Sequence, residues 1–190
     1  MGVLAPPALI PVRLGPTAKR RLAHVLDAGR RAELVRGLLD HVIDVLMQVG
    51  SRIVVLTPEA TDVAGADVWV DQAPGLNAAV AAAVDVLGAP VLVVHADLPL
   101  LAPADVDAVI SDGADVVIAR SYDGGTNGLL LRSPLRPAFG AGSALMHSRR
   151  ARGAGLVASV LDVPGFAIDV DDEVGLSACG TVRAFPHTRP

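Results

Sequence analysis

The chain is 190 residues long, 52% apolar and 19% charged, which describes one folded domain and excludes a disordered chain. A formal net charge of −4 argues against a nucleic-acid or membrane-surface binder, and three Phe, one Tyr and one Trp are too few for a base-stacking platform. A single cysteine, Cys179, leaves no intramolecular disulfide and fits a reducing cytoplasm.

The expected elements alternate along the chain. Residues 8–12 read as a buried first strand running into a loop that holds Gly15 and Pro16. Across residues 28–49, Leu34, Leu38, Val42, Val45 and Val49 recur at helical spacing. A β-branched run at 52–57 is a strand closed by Pro58, and 67–70 is a shorter one. An alanine-rich helix is expected at 78–87, an apolar strand at 91–95, and a helix at 103–110 that starts on Pro103, its favoured proline position. Strands follow at 115–119 and 128–131. Residues 143–154 read as a helix with Ser143 as N-cap, 167–170 as the last strand and 172–178 as the last helix. This alternation predicts one α/β domain over 1–190: a three-layer, Rossmann-like, mostly parallel sheet with helices on both faces. The tail 180–190 lacks any pattern and is expected to be loosely held.

A mean hydropathy of +0.49 raises the question of a membrane. The most apolar stretch, 78–96, is broken by Asp85 and by the turn-forming Gly88-Ala89-Pro90, so neither half reaches the roughly 20 residues of a span. Residues 1–7 carry neither a basic nor a long apolar region, so no signal peptide is read and a cytoplasmic protein is expected. Charge is uneven: residues 1–36 hold seven basic and two acidic side chains, and the acidic excess lies beyond them. A basic leading segment on an acidic body suits an anionic ligand that meets bound divalent cations, although a solvated helix face with Arg30, Arg31 and Arg36 would give much of the same bias.

In parallel sheets ligands bind beyond the carboxyl ends of strands, so the loops there are where chemistry is sought. No P-loop, no G-x-G-x-x-G, no zinc-spaced histidine pair and no G-x-S-x-G elbow occurs, and His24, His41, His95, His147 and His187 are scattered. The loop after the first strand holds Arg13 and Lys19, the only lysine beside fifteen arginines. Such a loop can hold a polyphosphate, or it is a solvated basic helix start. Asp97 follows the apolar strand, either as a magnesium ligand or as an Asx turn. Asp169 and Asp171 share one face of an extended segment and suit a metal-nucleotide site, while Asp171 or Asp172 could instead cap a helix. The glycine-rich runs 123–128 and 139–143 carry Thr126, Gly140 and Ser143 and read either as anion loops or as turns. Asn77 either binds a nucleobase or caps the alanine-rich helix.

Taken in order, IPVR…AKRRL (10–22), GLNAAV (75–80), ADLPLL (96–101), DGGTNGLLL (123–131), FGAGS (139–143) and IDVDDEVGL (168–176) resemble the CofC/FbiD family of guanylyltransferases of coenzyme F-420 biosynthesis. The resemblance spans nearly the whole chain and implies a nucleotidyltransferase sheet of the GT-A type. It implies GTP as substrate, a three-carbon phosphorylated acid as acceptor and pyrophosphate as leaving product. Asp97, Asp169 and Asp171 match the carboxylates that hold one or two magnesium ions, and Thr126, Gly140 and Ser143 match the acceptor site. Lys19, with Arg13 nearby, matches the basic loop facing the triphosphate. Where the family commonly reads P-V-K, this chain has Pro11-Val12-Arg13, and Gly15-Pro16 makes the loop's middle unusual. Family members use 2-phospho-L-lactate, phosphoenolpyruvate or 3-phosphoglycerate. The Ala/Arg/Gly/Val-heavy composition points to a high-GC actinobacterial source and so favours phosphoenolpyruvate, with 2-phospho-L-lactate second. Competing readings are another small nucleotidyltransferase, of molybdopterin or sugar-phosphate type, and a non-catalytic nucleotide-binding paralogue. A homodimer is compatible with the reading.

Overall fold

The computed structural model describes residues 5–15 and 17–180. The tail expectation beyond Gly180, His187, Pro16 and residues 1–4 of the leader reading lie outside the described residues. Seven strands form one sheet: β1 (Ala8–Pro11), β2 (Ile53–Thr57), β3 (Asp67–Val70), β4 (Val91–Val94), β5 (Val116–Arg120), β6 (Thr126–Leu131) and β7 (Ala158–Leu161). Their order is β3-β2-β1-β4-β6-β5-β7. Only β6 runs against its neighbours; β1 with β2 and β4, β2 with β3, and β5 with β7 are parallel.

Among the described residues four α-helices cover the faces, α1 (Ala28–Gln48), α2 (Leu76–Leu87), α3 (Pro103–Ser111) and α4 (Ser143–Gly153), and a fifth, α5 (Glu173–Cys179), packs with Leu22, Leu38 and Val170. Side chains alternate across a strand, so β1 sends Ile10 to one face and Leu9 to the other. Ile10 packs with Leu39, Val42 and Leu46 of α1 and Val106 and Val109 of α3; Leu9 packs with Val80 of α2 and Ala151 of α4. Strands β1, β2 and β4 are buried on both faces, which is why they read as unbroken apolar runs rather than alternating ones. Asp27 caps α1 by accepting from the Arg30 N–H at 2.8 Å. No helix among the described residues is long and apolar enough to cross a membrane.

Two expectations are corrected. Residues 167–170 form no strand: after the 3-10 turn Pro164–Phe166 the chain crosses the end of the sheet. Its backbone is held by single bonds, Tyr122 N–H to the Ala167 carbonyl at 2.9 Å and Val170 N–H to the Asp97 carbonyl at 3.0 Å, instead of a ladder. The edge lane beside β5 belongs to β7, whose half-exposed residues give a weaker pattern than the central strands. Ser143 is not the N-cap of α4. Gly142, at φ 65°, takes that position, and Ser143 is the first helical residue.

Candidate active site

Three carboxyl-edge segments converge. Asp97 sits three residues past the end of β4, and Asp169 and Asp171 come from the crossing segment that Val170 ties to Asp97's own carbonyl. At least one carboxylate oxygen from each of the three lies within 4.8 Å of the others. Asp172 stands aside from this group and caps α5, accepting from Val174 and Gly175 N–H at 2.9 and 3.0 Å. A side chain at Gly175 would place its β-carbon 2.2 Å from the Asp169 carbonyl oxygen, so only glycine lets the helix approach the Asp169 loop this closely.

Lys19 enters from the loop after β1. It is the only non-glycine with positive φ among the described residues, at φ 50° and ψ 43°. That left-handed conformation costs about 1–2 kcal/mol for a residue with a β-carbon. It delivers the ammonium between two carboxylates: Nζ donates to Asp97 Oδ2 and, at 2.7 Å, to Asp171 Oδ1. Arg21 adds a looser contact to Asp171 at 3.9 Å.

The electrostatics of the three acids differ. Burial pulls the Lys19 ammonium down, but Asp97 and Asp171 outweigh it and leave its pKa above the ordinary lysine value. Burial likewise opposes ionisation of Asp97, and the charges of Lys19 and His95 overcome it, so Asp97 lies below the usual carboxylate range. Asp169 is not among the carboxylates that Lys19 pairs with. Burial, then repulsion from Asp97 and Asp171, push its pKa up, against a long hydrogen bond from Asn127 Nδ2 at 3.4 Å and a smaller pull from His95. The cluster therefore carries more negative charge than Lys19 compensates. Three hard oxygen donors with an uncompensated charge are a donor set that fits Mg²⁺. Lys19, Asp97, Asp169 and Asp171 line one cleft of about 330 Å³, and the exposed Arg13 lines it too.

A second, neutral cluster lies on the neighbouring part of the same edge. Thr126 opens β6, and Ser143 and His147 sit one turn apart on α4. Ser143 Oγ donates to Thr126 Oγ1 at 3.0 Å, and His147 Nδ1 lies 3.0 Å from the same oxygen. Gly140, at φ 137°, lies in the loop between β6 and α4. Phe139, just before it, has its ring 5.3 Å from that of His95 and 5.2 Å from that of His147. Asn77 does not cap α2, where Gly75 takes the N-cap. Its amide accepts from Phe139 N–H at 2.7 Å and donates to the Phe139 carbonyl at 3.0 Å, which leaves a nucleobase one N–H and one lone pair.

The structure thus gathers Lys19, Arg13 and the three aspartates at one cleft, and Thr126 and Ser143 at a hydroxyl cluster with Gly140 in its loop. Three contributors escape the sequence reading. Asn127 links the clusters, donating to the Phe166 carbonyl at 3.0 Å and to Asp169. Glu59 holds the Arg13–Lys19 loop through Gly15 N–H at 3.2 Å and Leu14 N–H at 3.4 Å, and accepts from the Thr57 hydroxyl. Burial opposes its ionisation, but these donors keep its carboxyl below the usual range. His147 is the third, and its place four residues after Ser143 was the available signal.

A mixed sheet with helices on both faces and acidic and basic groups gathered at its carboxyl edge defines a nucleotidyltransferase-type α/β domain. Solved structures agree on that fold. A nucleotidyl transferase from Methanothermobacter thermautotroptrophicus superposes with a TM-score of 0.62 at 16% identity, covering 91% of this chain and 94% of that one. A Desulfovibrio desulfuricans protein described as a nucleotide-diphospho-sugar transferase gives 0.73 at 19% identity, covering 90% and 84%. Residues 7–179 match the family described as "Guanylyl transferase CofC like", and the chain belongs to that family. Similar relatives include a 3-phospho-D-glycerate guanylyltransferase of Phenylobacterium zucineum, 37% identical over 91% of each chain. A 2-phospho-L-lactate guanylyltransferase of Archaeoglobus fulgidus is 37% identical over 88% of this chain and 80% of its own. A phosphoenolpyruvate guanylyltransferase of Sphaerobacter thermophilus is 38% identical over 89% of each.

Proposed function

We propose that the protein is a magnesium-dependent guanylyltransferase that transfers GMP from GTP to a three-carbon phosphorylated acid, phosphoenolpyruvate in first place, and releases pyrophosphate in coenzyme F-420 biosynthesis. One observation carries the reading: a basic-loop lysine and three carboxylates meet in one cleft, and Asn127 joins them to a hydroxyl cluster that begins at its neighbour Thr126. GTP and the acid are its small-molecule partners, and the cytoplasm is the location that goes with them.

In this reading Arg13 and Lys19 face the triphosphate and offset the charge that builds on departing pyrophosphate. Thr126, Gly140 and Ser143 receive the acceptor acid. Asp97, Asp169 and Asp171 would hold one or two Mg²⁺, which when bound supply Lewis-acid polarisation of phosphoryl oxygens. An acceptor phosphate oxygen attacks the α-phosphorus of GTP in line, the bond from that phosphorus to the bridging oxygen breaks, and the electron pair leaves with pyrophosphate. No side chain has to take a proton, because a phosphate monoester is already largely dianionic near neutral pH. The chain's work is then positioning and charge compensation. His147 fits that division, since both of its ring nitrogens are engaged within the protein.

The test is pyrophosphate release and product mass from GTP with phosphoenolpyruvate, 2-phospho-L-lactate and 3-phospho-D-glycerate in turn, with CTP and ATP as controls. A guanylylated phosphoenolpyruvate is expected. A guanylylated product from another of the acids corrects the acceptor, and no product from any of them overturns the activity in favour of a nucleotide-binding paralogue.

A further inference from the structure

His147 is fully buried, and its two nitrogens have assignable roles. Nε2 lies 2.8 Å from the Ala138 N–H. A backbone N–H can only donate, so Nε2 carries no proton. The hydrogen of a neutral imidazole then resides on Nδ1, which donates to Thr126 Oγ1 at 3.0 Å. Ser143 Oγ donates to that same oxygen at 3.0 Å. The Nδ1–H bond fills one lone pair of the Thr126 hydroxyl and turns its hydrogen away from the ring, and wherever Ser143 donates to the second lone pair that hydrogen is left to donate elsewhere. Phosphate and carboxylate groups of an acceptor acid offer only acceptors, so a hydroxyl forced to donate is the matching partner.

We propose that His147 is a positioning residue for the acceptor acid: in its Nδ1–H form it fixes the Thr126 hydroxyl as a donor and ties the Gly140 loop to β6 through Ala138. The proposal rests on the reading of Thr126, Gly140 and Ser143 as the acceptor site. Burial, reinforced by the nearby Arg150 and His95, holds the His147 imidazolium down to about 4, so the neutral ring is the form present at pH 7. The Phe139 ring edge packs on it and restricts its rotation.

Two measurements decide it. In the unaltered chain, ¹⁵N-edited NMR of the histidine rings at pH 7 is expected to find His147 with a bare Nε2 and a protonated Nδ1; a protonated Nε2 overturns the proposal whatever any variant does. In steady-state kinetics, His147→Gln keeps an acceptor near the Nε2 position and loses the donor to Thr126. It should raise KM for the acid about tenfold and leave KM for GTP within about twofold, as loss of one hydrogen bond to a charged ligand does. His147→Asn keeps an N–H near the Nδ1 position and should restore KM for the acid to within about threefold of the unaltered enzyme. Equal KM values for the acid in His147→Gln and the unaltered enzyme sink the positioning role. Thr126→Val separates the two levels: if it raises that KM while His147→Gln does not, only the positioning role fails. If Thr126→Val leaves it unchanged, the acceptor reading fails and takes the proposal with it.

Discussion

The aspartate cleft and the hydroxyl cluster lie side by side on one sheet edge and are built on opposite principles. The cleft is ionic and partly open, with Asp171 about half exposed, and its charges do not balance. The cluster around Thr126 is buried and uncharged in its hydroxyls, and His147 and Ser143 orient the Thr126 hydroxyl between them. An unbalanced site is completed by its ligand, whereas an oriented one is organised before the ligand arrives. β6 joins them by turning consecutive residues, Thr126 and Asn127, to the two sites.

The contrast can be broken most severely at Asp97. Asp97→Asn should lower pyrophosphate release by about a thousandfold or more while the far-ultraviolet circular dichroism stays native, since a charge needed for the reaction is lost from a partly open site. Normal magnesium-dependent turnover in that variant would remove Asp97 from the site. Lys19→Met should lower the rate with GTP about a hundredfold. It should also tighten Mg²⁺ binding in the absence of nucleotide, measured by calorimetry, because the ammonium now occupies two of the three carboxylates. Weaker Mg²⁺ binding would mean that Lys19 supports the cation instead of competing with it.

The neutral cluster is sharpened by pH. The folded His147 pKa of about 4 lies below the ordinary value of 6.5, so the unfolded chain binds the extra proton between those values. Its contribution is therefore fully present above about pH 6.5 and lost as pH falls towards 4, by roughly 2–3 kcal/mol. Urea unfolding of the unaltered chain and of His147→Gln at pH 7 and pH 4.5 isolates this, and the loss on acidification should shrink in the variant. The smallest effect is expected away from both sites. Arg52→Ala removes an exposed pair with Asp67, at 2.7 Å, and should change stability by no more than about 0.5 kcal/mol and turnover not at all.

Much of the frame is legible in the amino-acid order. Apolar runs at β2 and β4 are buried on both faces, and a chain with few other uses for such runs announces them. Asp97 stands out because it follows such a run, and Lys19 because it is the solitary lysine in the loop after β1. The misreadings share a cause. The segment 167–170 has a strand's composition but no free lane, because β7 already pairs with β5. Ser143 has a cap's chemistry, but its hydroxyl goes to Thr126, a partner seventeen residues earlier that local pattern cannot supply. Asn127, Glu59 and His147 act through contacts 39 to 45 residues away or through a ring tautomer, neither of which leaves a periodic trace.

By itself the sequence determined an alternating α/β order and the residue types that meet in the cleft, because burial and turn chemistry act within a few residues. The tertiary structure alone decided which of those residues meet. It brought Lys19 across 78 and 152 positions to Asp97 and Asp171, and among the described residues it left Asp169 without an ion pair. Charge compensation depends on distance in space, which only the packed sheet defines.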